Sequence, residues 1–169
     1  MADYKKNARA VINSFLWNEL KESGILDEDQ YRPDNFTKSV VPIIPSQEVP
    51  EFNNLMPDLP YIVYDYEVEG YGDKWWICEE ILTYTIIANE VSQVVEIMEF
   101  MVDLFRRVDE SGKDLQRFNP SDNLLIFYTT ELESASGPAS IELEGGKTAG
   151  VVEISYKYSR YLDSNGRFS

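Results

Sequence analysis

The chain has 169 residues, enough for one domain of ordinary size, and its 43% hydrophobic and 13% aromatic content excludes a disordered chain and specifies a sizeable core. Fifteen basic against thirty acidic residues leave a formal charge of −15, which repels polyanions and argues against specific binding of DNA or RNA. The acids are spread along the sequence and form no block of five or six, so they read as a solvated surface and not as an acidic tail.

The N-terminus opens on charged and polar residues where a secretory leader would be apolar, and the one cysteine, Cys78, cannot close an internal disulfide. Synthesis in a reducing cytoplasm is the expectation. No apolar run approaches the roughly 20 residues needed to cross a bilayer, so no membrane partner is expected.

From Asp3 to about Glu22, residues Ala8, Val11, Ile12, Phe15, Leu16 and Leu20 recur at spacings of three and four, which predicts an amphipathic helix stopped at Gly24. Between Ile25 and Pro60 stand six of the chain's eight prolines, so that stretch is expected to be an extended arm with a short edge strand over Ser39–Ile44. The run YIVYDYEVE from Tyr61 to Glu69 alternates as a strand does, with Ile62, Tyr64, Tyr66 and Val68 on one side. Gly70, Gly72 and Asp73 turn the chain into a second strand, Trp75 to Ala88, whose alternation is broken at Glu79 and Glu80; a bulge near these two glutamates would account for the break.

The next segment repeats Val91, Val94, Val95, Met98, Met101, Val102, Phe105 and Val108 at helical spacing, predicting a helix of about five turns with Asp103 paired to Arg106 or Arg107. Two more strands follow, Leu124–Leu132 and Val151–Tyr161, separated by a Ser-, Ala- and Gly-rich stretch, 133–150, expected to be a flexible hairpin loop. The order of elements predicts a single α+β domain, 1–169, with a mainly antiparallel sheet and its two principal helices on one face.

Chemistry is sparsely signalled. Without a histidine there is no Ser-His-Asp triad, no Cys-His pair and no His-containing zinc site. Gly145-Gly146-Lys147-Thr148 ends like a phosphate-binding loop, but Ile141 stands where the first glycine belongs, and the motif lies between two predicted strands instead of leading into a helix. Gly70 and Gly72 begin a dinucleotide-type glycine pattern that Trp75 interrupts. Asp27 with Asp29, and Glu79 with Glu80, lack calcium-loop spacing and read as surface carboxylates. No catalytic, cofactor-binding or metal-binding residue is therefore assigned, and the chain is read as a non-enzyme that needs no cofactor.

Taken together, the N-terminal helix, the proline-rich arm leading into LPYIVYDY, the strand ICEEILTYTIIA running straight into the helix VSQVVEIMEFMVDLFRRV, and the closing VVEISYKYSRY resemble the tail terminator and tail-completion proteins of tailed bacteriophages. The resemblance implies a structural virion protein located at the tail or neck. It would self-associate, as a hexamer, into a ring that ends the tail tube and joins it to the head. The implied neighbours are tail tube protein, sheath protein and head-connector proteins, with DNA passing through the ring unbound. Interface positions are expected at Tyr71, Trp75 and Trp76 by the first turn, where aromatic side chains suit protein contacts although Trp75 or Trp76 reads equally well as core, and at Ile141 and Leu143 in the later loop. The alternatives are a head-tail adaptor or baseplate subunit, and, from a different class, a monomeric enzyme or ligand-binding domain.

Overall fold

The computed structural model describes residues 8–32, 41–46, 60–71, 77–106, 125–140 and 146–160. Along these run α1 (Ala8–Glu22), a short 3-10 turn (Glu28–Tyr31), β1 (Ile43–Pro45), β2 (Tyr61–Tyr71), β3 (Cys78–Ala88), α2 (Val91–Phe105), β4 (Leu125–Ser140) and β5 (Thr148–Arg160). The five strands form one sheet in the order β1-β2-β3-β5-β4, with β1 parallel to β2 and every other neighbour antiparallel. This is the expected α+β class.

Both helices lie on the same face. In β3 the side chains of Leu82, Tyr84 and Ile86 point to that face, paired in register with Ile154, Val152 and Gly150 of β5 and with Tyr66, Tyr64 and Ile62 of β2. They join a single cluster with Ile12, Leu16, Trp17 and Leu20 of α1 and with Val94, Ile97, Met98, Met101, Leu104 and Phe105 of α2. Removing these side chains from water is the main force holding helices to sheet. α2 contains four valines, poor helix formers when exposed, and forms because its buried stripe outweighs that small penalty.

The stripe of α2 is rotated from the one expected. Ile97 and Leu104 belong to it, whereas Val91 is exposed and Val95 and Val102 are half-buried. Three and four alternate in both sets, so spacing alone does not choose between adjacent seams of an apolar-rich helix. Arg106 caps the C-terminus through its backbone N–H to the Val102 carbonyl and makes no ion pair with Asp103 among the described residues; Arg107 and Val108 lie outside them.

α1 ends at Gly24 as expected, in the left-handed region at φ +78°. The first part of the arm is a correction: residues 25–32 fold back onto the domain's own core instead of reaching outward. Leu26 and Tyr31 are buried there, Tyr31 meets Trp17 edge-on at 5.8 Å and donates to the Pro60 carbonyl. The expected edge strand is present as the three residues of β1, while 33–40 and 47–59 lie outside the described residues.

The expected loop at 133–150 is also corrected, because its first part continues β4. Ser134 to Ser140 pair with Glu153 to Thr148, with register shifts at Phe127/Thr129, Leu132/Ser134 and Ser136/Ala139. Small residues and a proline suit a bulged edge strand as well as they suit a loop, since an edge strand need bond on one side only.

Candidate functional site

The structure concentrates its buried polar groups around Glu80. The bulge expected near this residue lies on the partner strand, where β2 shifts register between Val68 and Gly70, opposite Glu80 and Glu79. Glu80 itself keeps its place on the helix-facing side and is 3% exposed, which corrects the reading of it as a surface carboxylate. Its carboxylate accepts from Tyr156 Oη at 2.7 Å, from Arg9 Nη1 at 3.1 Å and from Tyr158 Oη at 3.2 Å. The Arg9 guanidinium also lies 3.6 Å from the centre of the Tyr66 ring.

These contacts balance one another. A buried carboxylate is tolerated when a cation and several donors satisfy it, and Glu80 has one of the first and two hydroxyls. Burial pushes the Tyr156 phenol far above its ordinary range, and the Glu80 charge pushes it further. Burial does the same to Tyr158, with additional pressure from the Cys78 thiol and from Glu80. Both phenols are thus held as proton donors. A second link joins α1 to the sheet, where the Tyr84 hydroxyl donates to Asn13 Oδ1 at 2.6 Å. Burial, then the neighbouring Tyr64, keeps the Tyr84 phenol protonated as well.

Among the described residues every buried side-chain nitrogen or oxygen has a hydrogen-bond partner, and no three Cys, Asp or Glu side chains gather as metal ligands would. The Glu80 group is therefore a clamp: it fixes Arg9, and through it the start of α1, over β2, β3 and β5. The acids Asp27 and Asp29 are likewise occupied locally, Asp27 accepting from the Asp29 N–H at 3.0 Å and Asp29 pairing with Arg32 at 3.0 Å. At the glycine-rich tip, Gly146 has φ +68° and Thr148 opens a strand, so no helix N-terminus faces the site a phosphate would need.

The second sheet face differs in kind. Val63, Asp65 and Glu67 of β2, Ile81, Thr83 and Thr85 of β3, and Val151, Glu153, Ser155 and Lys157 of β5 share it, and no described helix or strand lies over them. Near one end Tyr61, Ile87 and Ala149 form a small buried cluster with Val63. Polar links cross the rest: Thr83 donates to Glu153 at 3.4 Å, Ser155 to Glu133 at 2.5 Å and, by the edge, Ser46 to Asp65 at 2.8 Å.

Of the interface positions expected from sequence, Tyr71 ends β2 opposite Cys78, its side chain lying outside what is described. Trp75, Trp76, Ile141 and Leu143 lie outside the described residues altogether. Surface features that sequence reasoning missed include Val91, 55% exposed on α2, Val68, 54% exposed on β2, and Tyr128, which reaches Ser159 from a bulge of β4. No described helix is long and apolar enough to cross a membrane. No family model matches the chain, and no curated protein matches it at a significant level.

Proposed function

We propose that the chain is a structural subunit of a tailed-phage virion, a tail terminator or a closely related neck or completion protein, which acts by docking to other protein subunits. One observation carries the reading. The sheet holds both helices on one face, and over the other, where Val63, Ile81, Thr85 and Val151 stand among carboxylates, no described helix or strand lies. A half-apolar sheet face of this kind is suited to burial against another subunit. The order of helix, strand pair, helix and strand pair is also the order on which the resemblance to terminator proteins rests.

On this reading the subunit is part of a ring of copies, six in the family it resembles, at the head-proximal end of a tail tube. The net charge of −15 lets DNA pass such a ring without being held. The experiment is light scattering and negative-stain imaging of the purified chain, alone and mixed with tail tubes. Rings, or discs capping tube ends, are the expected result. A chain that stays monomeric at every concentration and never caps a tube overturns the reading.

A further inference from the structure

The outer side of α2 carries a groove of about 620 Å³, open to solvent and bounded across the helix by Ile25. Its apolar lining is Val91, Val95, Phe100 and Ile25, and Val91 is the most exposed large hydrophobic residue among those described. The same lining carries Glu96, Glu99 and Asp103, all exposed, and no cation. These three acids repel one another, Glu96 from Glu99 at i,i+3 and Glu99 from Asp103 at i,i+4. They also approach the negative end of the helix dipole, where Arg106, the C-cap residue, is the nearest described basic side chain and pairs with none of them. No ion pair reaches any of them among the described residues. Among the described residues α2 thus presents an apolar trough beside an acidic ridge that no cation pairs.

From this complementarity we propose that the groove receives a basic amphipathic segment of another protein. Its apolar residues would seat against Val91, Val95, Phe100 and Ile25, and its Lys or Arg side chains would cover Glu96, Glu99 and Asp103. Such a segment removes apolar surface from water and relieves the repulsion in one step. A second copy fits worse, because it would bring one acidic ridge against another, and nucleic acid is repelled outright. The inference stands apart from the ring reading, since it needs only the folded chain.

The test is fluorescence anisotropy with the full chain and a labelled peptide of Leu at helical spacing and Lys elsewhere, set against a matched peptide with Glu in place of Lys. The Lys peptide is expected to bind and the Glu peptide not to. Val91→Ser should weaken the Lys peptide about tenfold, and joint replacement E96K, E99K and D103K should exchange the two preferences. D65K with E67K, on the far sheet face, should leave binding within about twofold of the unaltered chain. Failure of the Lys peptide to bind overturns the proposal, and so does equal binding by the Val91→Ser variant. Dimers of the chain that Val91→Ser dissolves would assign the groove to a second copy, and the proposal would fall.

Discussion

At the scale of single residues, Glu80 is the one charged side chain buried among the described residues. Its carboxylate is 3% exposed while Arg9 is 20% exposed, so loss of the carboxylate strands two phenol donors but lets the guanidinium turn toward water. Glu80→Ala should cost about 3 kcal/mol and Glu80→Gln, which keeps the shape and one acceptor, about half of that, read from urea unfolding midpoints. Equal midpoints for all three proteins would show that the clamp contributes nothing. The tyrosines give a pH signature. A phenol whose folded pKa is raised contributes stability that is fully present below the unfolded value of about 10 and is lost as pH climbs past it, because only the unfolded chain releases the proton. Stability should therefore fall above pH ~10, and Tyr156→Phe should flatten that fall by up to about 1.4 kcal/mol per pH unit. A slope unchanged by the substitution would contradict the account. Sequence located Glu80 as a break in alternation and gave no hint that Arg9, 71 positions earlier, would enter the sheet beside it. Pairing across that separation is set by how α1 crosses the strands, which no local pattern encodes.

Elements were legible in proportion to how strongly they are amphipathic. α1, β2, β3, α2 and β5 stand close to where periodicity puts them, since each buries one face against the same core. The sequence pattern of β4 stops short of the strand because its second half, Ser134 to Ser140, has almost no apolar side chains; its strand conformation comes from backbone bonds to β5 and not from burial. The rotation of α2 was equally hidden, and Gly150 sets how closely the helix approaches the sheet. A Cβ at that position would overlap Met98 Sδ and stand 2.8 Å from Val94 Cγ1 and 3.0 Å from Met98 Cγ, so the helix rests directly on the β5 backbone. Gly150→Ala should destabilise by about 1–3 kcal/mol, as overpacked cores do. Val94 is β-branched and held in one rotamer by its helix, so it cannot swing aside as Met98 can. Val94→Ala in the Gly150→Ala background should recover part of the loss, and a double-mutant cycle of thermal midpoints measures how much. Strictly additive losses would mean that α2 does not touch β5 there.

At the scale of the whole molecule, the class of fold followed from the order of elements, while partner and site did not, because both depend on faces that exist only once the sheet has formed. Charge acts at this scale too. Fifteen uncompensated negative charges in 169 residues repel one another within a subunit, and would do so between copies in the proposed ring. Salt shortens the reach of that repulsion from about 30 Å at 0.01 M to about 10 Å at 0.1 M. Self-assembly should consequently strengthen as salt rises across this range, with sedimentation velocity showing the oligomer growing at the expense of the monomer. Binding of a cationic segment in the α2 groove should move the opposite way, weakening as the same salt screens Glu96, Glu99 and Asp103 from its Lys residues. The two signs separate the two kinds of contact in one titration. Self-association that weakened with salt would mean that copies meet through opposite charges, and an apolar sheet face would then not be the surface that joins them.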